Sequence, residues 1–111
     1  MATHELKTWP SFFQAIWDRR KTFDVRYDDR GYQAGDVVIL REWDPNIRTH
    51  GLSLADTQYT GRRLQAEIGY VLHAIPTSHQ RFGATYQPGH NLEGYVVFSL
   101  LDVKELFDAK E

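Results

Sequence analysis

The chain has no cysteine, so neither disulfides nor thiolate metal sites can contribute. It also lacks a long hydrophobic run. The longest apolar stretch, Tyr95 to Leu101, is interrupted by Ser99 and is far too short to cross a bilayer. An excess of one charge is missing as well: 13 Lys and Arg face 15 Asp and Glu, for a formal net charge of -2. That balance disfavours a protein that coats long duplexes by neutralising many phosphates. The start, Met-Ala-Thr-His-Glu-Leu-Lys-Thr, has no apolar signal-peptide core, so a cytoplasmic location with no membrane partner is expected. No repeat, low-complexity tract or linker interrupts the chain, and residues 1–111 are expected to form one domain.

Aromatic residues are what the chain does have, with 3 Trp, 6 Tyr and 6 Phe. A disordered chain carries fewer, and a domain this small gains much of its core from large rings. His4 to Trp9 reads as a short first strand, and Pro10 suits the first turn of a helix with Thr8 or Trp9 near the cap. Phe12, Phe13, Ile16 and Trp17 recur at helical spacing, and the helix is expected to end near Arg19-Arg20. Thr22 to Tyr27 alternates as a strand, with Phe23, Val25 and Tyr27 on one face and Thr22, Asp24 and Arg26 on the other. The first of these faces is the one expected to meet the core, and a structure exposing all three residues would sink this reading.

Val37 to Trp43 begins apolar on both faces, as a central strand does. Tyr59 to Leu72 reads as one long strand, bent at Gly61 or Gly69, and Tyr95 to Val103 as the last buried strand. Segments 44–57 and 74–94 read as long loops and Glu105 to Glu111 as a tail. The sum is α+β, a small mixed β-barrel of five or six strands with one main N-terminal helix. Phe12, Phe13, Ile16, Val25, Val37, Ile39, Leu64, Ile68, Val97 and Phe98 are expected in its core.

The run Arg19-Arg20-Lys21-Thr22-Phe23-Asp24-Val25-Arg26 resembles the signature G-x-K-x-x-E-x-R of the ASCH domains, which belong to the PUA-like superfamily. Lys21 and Arg26 match, Asp24 keeps a carboxylate one methylene shorter, and Arg19 stands in place of glycine. The likeness extends to a bacterial and phage family of unknown function through His4-Glu5-Leu6-Lys7-Thr8-Trp9-Pro10, Gly35-Asp36, Leu40-Arg41-Glu42-Trp43-Asp44-Pro45, Tyr59-Thr60-Gly61-Arg62 and Gly94 to Leu100. It implies a PUA-like (ASCH-like) barrel with a cleft beside the first helix, and single-stranded RNA or a nucleotide as partner. Some small members of the superfamily are hydrolases. The acetylcytidine amidohydrolases carry a lysine at the place of Lys21 and a threonine nucleophile at the place of Asp24.

Lys21 is the leading candidate residue. It falls where a helix gives way to a strand, and Arg19 and Arg20 crowd it with like charge, the circumstance in which a lysine can serve as a base. Asp24 and Arg26 lie two apart on one strand face, where a guanidinium can fork onto a phosphate and a carboxylate can accept from a base or sugar. The bland alternative is that they pair with each other. Lys7 and Trp9 share parity, so a cation and a stacking surface can point the same way, although Trp9 beside Pro10 more often packs in a core.

The expected ligand-binding set is therefore Lys21, Asp24, Arg26, Lys7 and Trp9. In an enzyme, Lys21 would be the base and Asp24 its partner or the nucleophile. No cofactor is expected. His73, His79 and His90 match no common ligand spacing, so no metal is expected either. Ser99 reads as a satisfied hydroxyl rather than a nucleophile. Binding ranks above hydrolysis because a carboxylate attacking an amide would give a mixed anhydride, a poorer route than an ester. A protein-interaction domain is the third possibility. The oligomeric state is left open.

Overall fold

The computed structural model describes residues 1–47, 58–73 and 94–107. Strand β1 (Thr3–Thr8) leads into helix α1 (Pro10–Trp17), followed by β2 (Phe23–Tyr27), β3 (Val37–Trp43), β4 (Tyr59–Leu72) and β5 (Tyr95–Leu106). The five strands form one sheet in the order β1-β3-β4-β5-β2. β1 runs parallel to β3, and every other pairing is antiparallel. The two edges are β1 and β2, yet the Arg26 guanidinium on β2 donates to Thr8 Oγ1 on β1 at 3.1 Å. Opposite edges of a five-stranded sheet can meet only if the sheet curls. The result is a half-barrel whose seam is closed by side chains rather than by a backbone ladder.

Alternation decides which side chains fill the concave face. His4, Leu6 and Thr8 point inward from β1, Val38, Leu40 and Glu42 from β3, Leu64, Ala66 and Ile68 from β4, and Val96, Phe98 and Leu100 from β5. Helix α1 adds Phe13 and Ile16, both fully buried. Pro10 at its start needs no N–H partner, and its end is a tight reversal. There the amides of Arg20 and Lys21 both donate to the Ala15 carbonyl. Arg19, at the place of the signature glycine, has φ 66°, in the left-handed region. Its side chain donates to the Trp17 carbonyl at 2.6 Å and the Val103 carbonyl at 3.1 Å.

The long strands keep the core filled by breaking register. Between Ile68 and Val71 the β4–β5 pairing shifts, so Val71 also packs on the core although its parity is opposite. Gly69 sits in this bulge, and a Cβ there would lie 2.8 Å from Ser99 Oγ. The hydroxyl of Ser99 instead accepts from the Tyr70 amide that the bulge frees, at 2.9 Å. Both expected bends are present, for the β3–β4 register shifts across Gly61, which has φ 100°. A second irregularity, with Asp102 at φ 55°, turns Val103 back onto the core.

Several expectations need correction. Phe23, Val25 and Tyr27 are 43%, 45% and 58% exposed, so β2 faces inward with Asp24 and Arg26 instead. Counted against the barrel as set out above, that leaves a coarser architecture: a curled sheet whose core comes from the other four strands and the helix. The physical reason is the seam, where Thr8 faces β2 and takes a guanidinium donor. Phe12 is likewise 55% exposed, while Val37, Ile39 and Val97 are only partly buried. Tyr32, from the expected polar turn, is buried against Phe98 with ring centroids 5.0 Å apart. The helix stops at Trp17 rather than near Arg20, and β5 continues to Leu106 through residues expected to begin a tail. Most of the two long loops, and the end of the tail, fall outside the described residues.

Candidate functional site

The residues around Lys21 come together as the alternation of β2 and the sharp end of α1 dictate. Lys21 follows the left-handed Arg19 and precedes β2, whose pairing with β5 begins as the Leu100 amide donates to the Thr22 carbonyl. Its Nζ donates to the Phe23 carbonyl at 2.7 Å and to Asp24 Oδ1 at 3.2 Å. Asp24 Oδ1 also accepts from the Val25 amide, and Oδ2 accepts from Arg26 Nε at 2.9 Å. Asp24 is thus buried with both oxygens engaged. The side chains of Lys21 and Arg26 remain 17% and 22% exposed. Two cations share one carboxylate, leaving one positive charge over.

Lys21 Nζ stands 4.9 Å from the ring centre of Phe23 and 5.7 Å from that of Phe12, within cation–π range of both. Both rings are about half exposed. The expected crowding by arginines is not realised: Arg19 reaches the Trp17 and Val103 carbonyls, and Arg20 reaches Asp18. Thr22, the hydroxyl nearest in sequence, is exposed.

Thr8 links this group to a second buried carboxylate, because it lies opposite Glu42 in the β1–β3 register. Arg62 holds Glu42 in a fork, Nε to Oε1 at 2.9 Å and an outer nitrogen to Oε2 at 3.1 Å. Thr60 adds a 2.7 Å hydrogen bond to Glu42, and Gln14 on α1 accepts from Arg62 at 2.9 Å. The guanidinium also lies over Phe13 and Trp17, 5.0 and 4.6 Å from their ring centres. Burial pushes the Glu42 carboxyl up, but the hydrogen bonds from Arg62 and Thr60 outweigh it and hold the group below its ordinary range. The hydrogen bond to Glu42 makes Arg62 harder still to deprotonate.

Sequence reasoning missed this pair. The signal was present: Glu42 and Arg62 occupy the inward parity of two strands whose other inward residues are apolar. At the far end, Asp36 accepts from His4 Nε2 at 2.9 Å and from the amides of Ala2 and Gln33. The His4 hydrogen bond above all keeps its carboxyl below the ordinary range.

Lys7 and Trp9 do not join Lys21. Lys7 points outward from β1 with its Nζ 4.3 Å from the centre of the Trp43 ring, and Trp9 lies 6.4 Å from the same ring. Trp9 is 52% exposed, so its expected place in the core is corrected. His79 and His90 lie outside the described residues. Among the described residues no group of three or more His, Cys, Asp and Glu is placed to hold a metal ion. Among them, too, no helix is long and apolar enough to cross a membrane, which says nothing of spanning by strands.

A curled five-stranded sheet with one short helix and a polar seam defines the protein as a small α+β half-barrel domain. The chain belongs to the family described as domain of unknown function DUF3850, whose model matches residues 3–84. It is also similar to the uncharacterized 12.9 kDa protein in the GpA 3′ region of Escherichia phage P2, 31% identical over 65 residues. That likeness covers 59% of this chain and 50% of the relative, so the chain spans about half the length of the curated relative it matches. The expected likeness to a phage and bacterial family of unknown function holds at this level.

Proposed function

We propose that the protein is a binding module that holds a nucleotide, or one nucleotide of a single-stranded RNA, against Lys21 beside the first helix. The observation that carries the reading is Lys21 Nζ within cation–π reach of two half-exposed phenylalanine rings, in a group where two cations share one carboxylate among the described residues. A nucleotide offers the complement on both counts, a phosphate for the charge and a flat base for Phe12 or Phe23. Arg26 keeps part of its guanidinium accessible, while Asp24 fixes both cations in place.

The reading carries with it an ASCH-like, PUA-like architecture and a cytoplasmic location. Two features support the former: the signature's lysine, carboxylate and arginine meet in one group, and its glycine position is left-handed. Hydrolysis of a modified nucleoside ranks lower on specific grounds. Each Asp24 oxygen already accepts from a cation, and among the described residues the donor contacts of Lys21 go to that carboxylate and to a carbonyl. A base needs a free lone pair within reach of the proton it removes.

The test is calorimetric titration with nucleoside 5′-monophosphates, alongside an assay for acetate release from acetylcytidine. Binding that Lys21→Ala weakens at least about tenfold, about 1.4 kcal/mol, supports the reading. Turnover of order 1 per second or faster, abolished by Lys21→Ala, would replace it with an enzyme.

A further inference from the structure

On the outward face of the sheet, the register sets Lys7 opposite Arg41 and Arg41 opposite Arg63. Three cations therefore stand in one row across β1, β3 and β4, a run of roughly 10 Å at ordinary strand spacing. Like charges directly opposite one another destabilise a sheet, so an anion bound along the row lowers that repulsion. Two of the three rest on rings: Lys7 Nζ is 4.3 Å from the centre of Trp43, and the Arg41 guanidinium carbon is 3.8 Å from that of Tyr59. A cation held by a ring keeps its charge and its donors, unlike one neutralised by a carboxylate. Glu5 pairs with Arg41 at 3.7 Å, a long and mostly exposed ion pair of the kind that contributes little and that a phosphate can displace. Arg41, Arg63, Tyr59 and Glu5 also line an open cavity of about 350 Å³, wide enough for a phosphate and sugar. Trp9, half exposed beside Trp43, adds a stacking face at the end of the row.

We propose that this outward face binds the backbone of a single-stranded RNA, with phosphates on Lys7, Arg41 and Arg63 and a base on Trp9. RNA is favoured over DNA because Glu5, a carboxylate within the cationic strip, can accept a hydrogen bond from a 2′-hydroxyl that DNA does not offer. An acidic peptide would meet the cations but leave Trp9 unused. The proposal deepens the reading given above and rests on it for the class of ligand, adding a second surface that a strand can engage together with the first.

The experiment uses the full chain and fluorescence anisotropy of a labelled single-stranded RNA of about ten nucleotides, within the usual footprint of such sites. A nucleoside monophosphate, single-stranded DNA of the same sequence and an acidic peptide are run beside it. The RNA is expected to bind at least about tenfold tighter than the monophosphate, with a log–log salt slope of about -2.8 from four phosphates, Lys21's included, at roughly 0.7 each. Lys7→Ala with Arg41→Ala should remove that advantage, reduce the slope by about 1.4, and leave monophosphate binding unchanged. Lys21→Ala should weaken both ligands together. Lys7→Gln and Arg41→Gln replace the alanines if thermal melting shows a folding loss.

RNA affinity indifferent to both pairs of variants overturns the proposal, as does equal binding of the DNA or preference for the peptide. Binding of the monophosphate with no gain for the RNA overturns it while the Lys21 site stands. Binding of neither overturns both.

Discussion

Asp24 and Glu42 are two buried carboxylates at the same end of the half-barrel, each holding an arginine, with Thr8 between them. Their stoichiometry differs. Glu42 meets one guanidinium in a fork, and the pair is neutral. Asp24 meets both Lys21 and Arg26, and the group carries one positive charge. Their frames differ too, for Arg62 lies over Phe13 and Trp17, which belong to the core and its margin, whereas Lys21 lies between rings that face solvent. A neutral pair roofed by core rings ties a helix to a sheet. A charged group beside open rings is equipped to take something in.

Breaking the neutral pair should have the largest effect on stability. Glu42→Ala leaves Arg62 partly buried without its partner and strips Thr60 of its acceptor. A loss of about 3 kcal/mol is expected, at the low end for a buried pair because the arginine is over a third exposed. Urea denaturation measures it. Asp24→Asn should destabilise too, by about 2 kcal/mol, since it leaves two cations side by side. The two variants should then part company in inorganic phosphate, which should restore more of the lost stability to Asp24→Asn, with two cations to pair, than to Glu42→Ala, with one. Equal response to phosphate would erase the distinction drawn between the two groups.

Acid should act on the structural carboxylates next. Asp36 and Glu42 are both held below their ordinary values when folded. The unfolded chain therefore binds protons first as pH falls, and the associated stability is fully present above the ordinary carboxylate pKa of about 4. It is lost as pH drops from there through the depressed folded values. Urea midpoints should hold between pH 7 and 5 and fall steeply below about 4, and Asp36→Asn and Glu42→Gln should each flatten that fall. A midpoint that declines between pH 7 and 5 would point to groups other than these.

Lys21→Ala comes next in the order, with a large effect on binding and a small one on folding. Asp24 keeps Arg26 as its partner when the lysine is removed, so no buried charge is left alone and the loss should be about 1 kcal/mol, one hydrogen bond's worth. The melting temperature should fall by a few degrees at most while monophosphate affinity drops about tenfold. A melting temperature that collapses with Lys21→Ala would make the Asp24 group as structural as the Glu42 pair.

What the sequence disclosed about these groups followed from period and sign. The bounds of β3 and β4 were legible as Val37–Trp43 and Tyr59–Leu72 because their apolar alternation is dense. Period 2 divides a strand into two faces but does not say which turns inward. In β2 the aromatic face turned outward, because an edge strand opposite Thr8 has a polar seam to satisfy. One short run points to Lys21, Asp24 and Arg26, and they do meet. Parity alone places Lys7 and Trp9 with them, and parity cannot tell the concave side of a curled sheet from the convex. The extension of β5 was hidden by the bulge at Asp102, which breaks the alternation that would have marked it.

The smallest expected effect lies at Arg19, where the chain turns from helix to site. An L residue with a Cβ in the left-handed region costs about 1 kcal/mol relative to glycine. Arginine offsets that cost here through hydrogen bonds to the Trp17 and Val103 carbonyls, exposed contacts contributing about 0.5 kcal/mol each. Arg19→Gly removes the strain and the bonds together, so stability should stay within about 0.5 kcal/mol of the parent. Arg19→Ala removes the bonds and keeps the strain, and should lose about 1 kcal/mol, a drop of roughly 4 °C in melting temperature. The contrast between the two small residues isolates the backbone from the side chain. Because Lys21 follows two residues later, Arg19→Gly should also leave monophosphate binding intact if the backbone turn alone aims the lysine. Alanine as stable as glycine would mean that the turn does not require its left-handed residue, and the geometry delivering Lys21 to Asp24 would need another cause.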